Sequence, residues 1–152
     1  MQKSLLVSMF ALLAASSITQ AKPMKWMDAA GAGLPAGAQM AVLSGNPGKP
    51  GMFKVQIKMP ANYTVPPHHH PTDEIVRVRS GTLNYGMGDK LDKANAGQLT
   101  DPKTHVTMAA GMNHWVFTTE PTVVEVSAMG PFVLNYINPA DDPSKTAAAA
   151  PK

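Results

Sequence analysis

Glycine and proline punctuate this chain so densely that short strands fit between them better than helices. The 12 Gly and 14 Pro residues recur between short runs in which apolar and polar side chains alternate. Alternation of period two, with turn residues every few positions, predicts an all-β sandwich or barrel. Phe53, Val55, Ile57 and Met59 alternate with Lys54, Gln56 and Lys58, so one face of this strand is expected to be buried and the other wet. Glu74, Val76 and Val78 face one side of the next strand, and Ile75, Arg77 and Arg79 the other. Ser80-Gly81 then turns the chain into Thr82 to Met87. Further strands are expected over 39–43, 106–108, 115–118, 123–128 and 132–137. Residues 89–104 carry no period and read as a long connection with room for one helical turn.

The ends of the chain have a different composition. Lys3 gives a short positive start, Leu5 to Ala15 is almost wholly apolar, and Thr19-Gln20-Ala21 supplies small residues at the positions a signal peptidase reads. The apolar run is short for a bilayer span. Residues 1–21 are therefore expected to be a cleaved leader, with the mature protein starting near Lys22 and exported to the periplasm or beyond. No cysteine is present to carry an acyl anchor or a disulfide, so no membrane association is expected after cleavage, and burial must hold the fold. Taking the 21-residue leader from 152 residues leaves about 131, enough for one domain with a real core. The formal net charge is +3, with cations scattered among acids, so no nucleic-acid-binding face is expected. One domain is expected over 22–140, followed by a disordered tail over 141–152. Met24, Trp26 and Met27 could suggest copper, but methionine more often fills gaps and Trp26 reads as a packing residue.

One cluster carries chemistry. His68, His70 and Glu74 lie close together, and His114 follows 40 residues later within Ala110-Gly111-Met112-Asn113-His114. On an extended segment, residues two apart project to the same face, so His68 and His70 converge while His69 points away. Glu74 can return to that face once the chain has turned at Pro71-Thr72-Asp73. Three neutral imidazoles and a carboxylate suit a divalent first-row ion such as iron, manganese, nickel, copper or zinc, with positions left for water or substrate. His105 belongs to neither group and reads as a surface or outer residue.

His-x-His-x3-Glu-x6-Gly, from His68 to Gly81, resembles the first metal-binding motif of the cupin superfamily, and Ala109 to His114 resembles the second. The second departs from the usual pattern at Lys103, Ala109 and Thr118, positions that shape turns. Pro71 to Glu74, Gly130-Pro131-Phe132 with Tyr136, and Asn138 to Pro143 resemble small, exported, single-domain cupins of unassigned activity. The resemblance implies a six-to-eight-stranded antiparallel jelly-roll barrel with His68, His70, Glu74 and His114 holding one divalent transition metal inside its mouth. Val76, Val78 and Val116 are then the expected apolar wall, and Tyr63, Tyr85, Phe117 and Tyr136 are expected in the core.

Two functions fit. The first is a metal-dependent enzyme, dioxygenase-like or isomerase-like, acting on a small oxygenated compound with Glu74 as ligand and catalytic proton acceptor. The second is a metal-stabilised ligand-binding or sensing module without turnover. Val76 stands where some cupin lyases carry a tyrosine, which weighs against a lyase. The partner in either case is a small-molecule substrate or ligand, and assembly stays open between monomer and homodimer.

Overall fold

The computed structural model describes residues 23–146; the expected leader and residues 147–152 of the tail lie outside them. Eleven strands form two antiparallel sheets that face one another as a jelly roll. The first sheet runs in the order β1 (Met27–Asp28), β2 (Gln39–Ser44), β3 (Gly51–Met59), β10 (Thr122–Gly130), β5 (Glu74–Ser80) and β8 (Val106–Met108). The second runs in the order β11 (Asn135–Tyr136), β4 (Thr64–His69), β9 (His114–Phe117), β6 (Leu83–Met87) and β7 (Gly97–Leu99). The count exceeds eight because short pieces such as β1 and β11, two residues each, extend the sheet edges.

β3 and β10 form the spine, paired over nine residues from Thr122↔Met59 to Gly130↔Gly51. Their period-two patterns place Phe53, Val55, Ile57, Val124 and Val126 between the sheets, against Val76 and Val78 of β5 and Val65 and Leu83 opposite. Each such side chain contributes about 1.5–3 kcal/mol through burial. On the outer face Glu125 is only 6% exposed, because Arg79 donates to it at 2.7 Å and the Lys54 ammonium lies 3.4 Å away. Those two cations hold its carboxyl below the usual range although burial alone would raise it.

Gly81 makes the turn expected after β5, with φ of +75° in the region that favours glycine. Residues 89–104 contain the expected turn, a 3-10 segment at Lys93–Asn95, and also β7. The expected strand over 132–137 is ordered only at Asn135–Tyr136; the residues before it form a strap across the barrel. A second strap, 29–38, is closed by the Ala29 N–H donating to the Ala38 carbonyl and carries Leu34 into the core. The two straps meet where the Tyr136 hydroxyl donates to the Gly33 carbonyl at 2.8 Å. Beyond them Pro139–Asp141 and Pro143–Thr146 form short helical turns. No helix among the described residues is long and apolar enough to cross a membrane.

Candidate metal centre

Prolines decide how the first two imidazoles are presented. Pro66 and Pro67 have no N–H to give to a sheet, and the pairing of β4 with β9 shifts register between Val65 and His68. Beyond the shift His68 stands directly opposite His114, so two of the expected ligands are a cross-strand pair with rings 4.3 Å apart. His70 lies just past the end of β4, its ring 5.0 Å from His68 and 5.2 Å from His114. Glu74 opens β5 in the facing sheet and reaches across from between Ala128 and Met108.

The turns that carry the two clusters are tied to each other. Gly111, with φ of +72°, donates its N–H to the His70 carbonyl at 2.8 Å, and the Ala110 N–H donates to Asp73 Oδ1 at 2.8 Å. Thr72 anchors the same turn to the Met129 carbonyl at 2.8 Å. Residues about 40 apart in sequence are thereby set in one frame, by one main-chain hydrogen bond and by the Asp73 carboxylate.

All three rings use Nδ1 in the same way. His68 Nδ1 lies 2.7 Å from the Pro66 carbonyl, His70 Nδ1 2.7 Å from the Val133 carbonyl, and His114 Nδ1 2.9 Å from the Met112 carbonyl. A carbonyl only accepts, so each Nδ1 carries the proton and each Nε2 presents a lone pair. The Nε2 atoms of His70 and His114 are buried without a hydrogen-bond partner. Glu74 Oε2 lies 3.4 Å from the first and 3.5 Å from the second, ion-pair distances that leave both lone pairs uncommitted. The nitrogen atoms of His68, His70 and His114 lie close enough together to hold one ion. An orphaned buried nitrogen costs about 1–3 kcal/mol, so two at one point fit a site built for a cation.

The electrostatics of these side chains agree. Burial, reinforced by His114 and His70, pushes His68 down to about 3, so its imidazole is neutral at any ordinary pH. Burial also works against protonation of His70, yet the Glu74 carboxylate beside it holds its pKa above the usual value. Burial would raise Glu74, but the nearness of His114 and His70 outweighs that and keeps it well below the carboxylate range. Glu74 is therefore a buried anion.

Around these four residues the wall is entirely apolar. Eleven further side chains line the cavity, among them the expected Val76 and Val116 together with Leu34, Leu83, Phe132 and Leu134. Val78 is buried in the core but does not reach the cavity. Tyr63 and Phe117 are buried as expected, Tyr136 is half-buried against the His68 ring at 5.8 Å, and Tyr85 packs at the edge of the core. Burial raises both Tyr63 and Tyr136, so neither phenol ionises under ordinary conditions. His69 turns away from the cluster and His105 is exposed. Lys58 sits 4.2 Å over the Trp26 ring, the packing role expected for that tryptophan.

No family model matches this sequence, and no curated protein matches it. Solved structures do. A cupin 2 domain-containing protein from Halorhodospira halophila superposes with a TM-score of 0.55 at 16% identity, over 76% of this chain and 85% of that one. The chain has the cupin fold. The polyketide cyclase RemF from Streptomyces resistomycificus has the same cupin barrel, with a TM-score of 0.57, 16% identity and coverage of 73% and 78%. So does the DMSP lyase DddQ from Ruegeria pomeroyi, with a TM-score of 0.58 and 20% identity over 76% of this chain, which spans 62% of that lyase. At these identities the likeness describes the barrel, and the chemistry rests on this chain's own residues.

Two contributors to this site were not evident from spacing. Phe132 stacks on His70 at 4.8 Å with the planes 17° apart, and the next residue supplies the carbonyl that orients His70. The period-two run Phe132, Leu134, Tyr136 was the available signal. Leu34 emerges from a Gly- and Ala-rich stretch with no period at all.

Proposed function

We propose that this chain is an exported, metal-dependent enzyme, dioxygenase-like or isomerase-like, that acts on a small compound through adjacent oxygen atoms. The observation that carries the reading is the pair of buried, unpartnered Nε2 atoms facing a buried carboxylate in an otherwise apolar cavity. His68, His70, His114 and Glu74 would hold one divalent transition ion, which supplies Lewis acidity, orientation of substrate oxygens or activation of dioxygen. The chain does the rest. The carbonyls at Pro66, Val133 and Met112 fix the imidazoles, and the apolar wall excludes water and strengthens every charge inside it. With only one polar corner, the cavity selects a ligand whose polar atoms are adjacent and whose remainder is apolar. Glu74 is the single carboxylate in the lining, so a proton leaving the substrate has Glu74 as its acceptor within the protein.

The same wall favours a second reading, a metal-stabilised binding module without turnover, since no lining group outside the four can donate a proton. Metal analysis of protein purified without a histidine tag, with azide added to its cobalt or copper form, separates the two. An exchangeable position gives a spectral change on adding azide, and Glu74→Gln then lowers turnover by more than it lowers metal content. A centre blind to azide, with no turnover of diketones, catechols, flavonols or thiols, refutes the enzyme. Export is tested by the mass of the mature protein, expected to start near Lys22; an intact Met1 refutes it.

A further inference from the structure

Phe132 stands between two cavities. On one side is the apolar chamber of the metal centre; on the other is a more open depression bounded by Met27, Asp28, Ala32, Met40 and Pro47. Phe132 belongs to the lining of both. The outer cavity has an empty volume of about 690 Å³, open mouth included, and is apolar apart from Asp28, whose carboxylate accepts from the Ala30 N–H at 2.8 Å. The ring is held in place from three directions. It stacks on His70 and meets Phe53 edge-on at 5.4 Å, and the main-chain N–H of Phe132 donates to the Pro47 carbonyl at 2.6 Å.

We infer that Phe132 is a specificity-determining residue whose ring closes the metal chamber against the outer cavity and sets the longest apolar tail the site accepts. The inference rests on the reading of the four polar residues as the anchor for a ligand's oxygens. A ligand bound there has apolar walls on all other sides, so its tail grows until it meets a fixed surface. Phe132 is the part of that surface with unfilled apolar space behind it.

The test uses straight-chain alkyl hydroxamates, from acetyl to decanoyl, titrated into the cobalt-loaded protein. Affinity in the wild type should rise with the first carbons and then stop. In Phe132→Ala the rise should continue for several more carbons, by about fourfold per methylene. The readout is the chain length at which the rise stops, which a general loosening of His70 does not move. Phe132→Leu should move the break by a smaller step and serves if the alanine variant does not fold. Adding Ala32→Leu to Phe132→Ala refills the outer cavity and should restore the wild-type break. A parallel series of n-alcohols with metal-free protein, followed by NMR, needs the cavity alone and should show the same break and the same shift. A break that stays put in both Phe132 variants and in both series overturns the inference. Failure to bind cobalt, with the alcohol break present and moved, instead overturns the metal reading and leaves the partition standing.

Discussion

Replacing His114 with alanine should have a small effect on the metal-free protein and a large effect on the metal-loaded one. His114 is 1% exposed, and truncating a side chain that deep ordinarily costs about 2–5 kcal/mol through lost contacts and the cavity left behind. Here the deleted ring also removes an orphaned Nε2, which relieves about 1–3 kcal/mol. Taken at the middle of both ranges, the net loss without metal should be about 1–2 kcal/mol. Metal bound only by the folded state adds about 2.7 kcal/mol when its free concentration is a hundred times Kd. With about 2.1 cal/mol/K of unfolding entropy per residue over residues 23–146, that corresponds to a rise in Tm of about 10 °C. Scanning calorimetry with chelator, and then with zinc or cobalt, reads both numbers. Wild type should show the full rise, whereas His114→Ala should show a lowered baseline and almost no rise. His69→Ala and His105→Ala should behave as wild type. An undiminished metal-induced rise in His114→Ala would falsify the assignment of this ring as a ligand.

Three further outcomes follow from particular contacts. The depressed carboxyl of Glu125 contributes stability that is complete above the unfolded glutamate pKa of about 4.3 and is lost as pH falls through the lower folded value, so Glu125→Gln should flatten the acid limb of a Tm-against-pH curve. A Cβ on Gly86 would sit 2.1 Å from Cζ2 of the buried Trp115, so Gly86→Ala should cost at least about 1–3 kcal/mol in urea unfolding. Because Trp115 directly follows His114 in β9, the same variant should also weaken metal binding. Asp73→Ala frees the Ala110 N–H and loosens the turn leading to His114, so metal affinity measured against a competing chelator should fall about tenfold or more, with little loss of secondary structure by circular dichroism.

Much of the barrel was legible because its strands have one dry face. The runs at Phe53 to Met59 and Glu74 to Arg79 alternate cleanly, and both are buried in the expected sense. Thr64–His69 was harder to recognise as a paired strand, since Pro66-Pro67 breaks the ladder and is accommodated by a register shift that no local pattern reports. Gly97–Leu99 is too short to show a period. Trp115 points away from the cavity and would be expected to face water, yet it is 2% exposed, packed over Gly86 and against Phe117. Lys93, from the connection after β6, lies 4.9 Å over the Phe117 ring on that same side. The four polar residues converged as their spacing implied because that spacing encodes a strand end and a turn. What orients them was invisible, because it consists of main-chain carbonyls whose positions depend on the path of the fold.

That dependence bears on how the site can change over evolution. The partner of each imidazole Nδ1 is a peptide carbonyl, two of them only two residues upstream of the ring they orient. No single side-chain exchange can delete such an acceptor, so the tautomer of each of these three imidazoles is inherited from the course of the backbone and is shielded from point mutation. The wall is under no such protection. Drift in the lining can reshape what enters, one residue at a time, while the nitrogen lone pairs stay aimed at the same point. A carbonyl is also a weaker acceptor than a carboxylate, so the rings remain modest electron donors, and retuning the ion's acidity would require rerouting the chain itself.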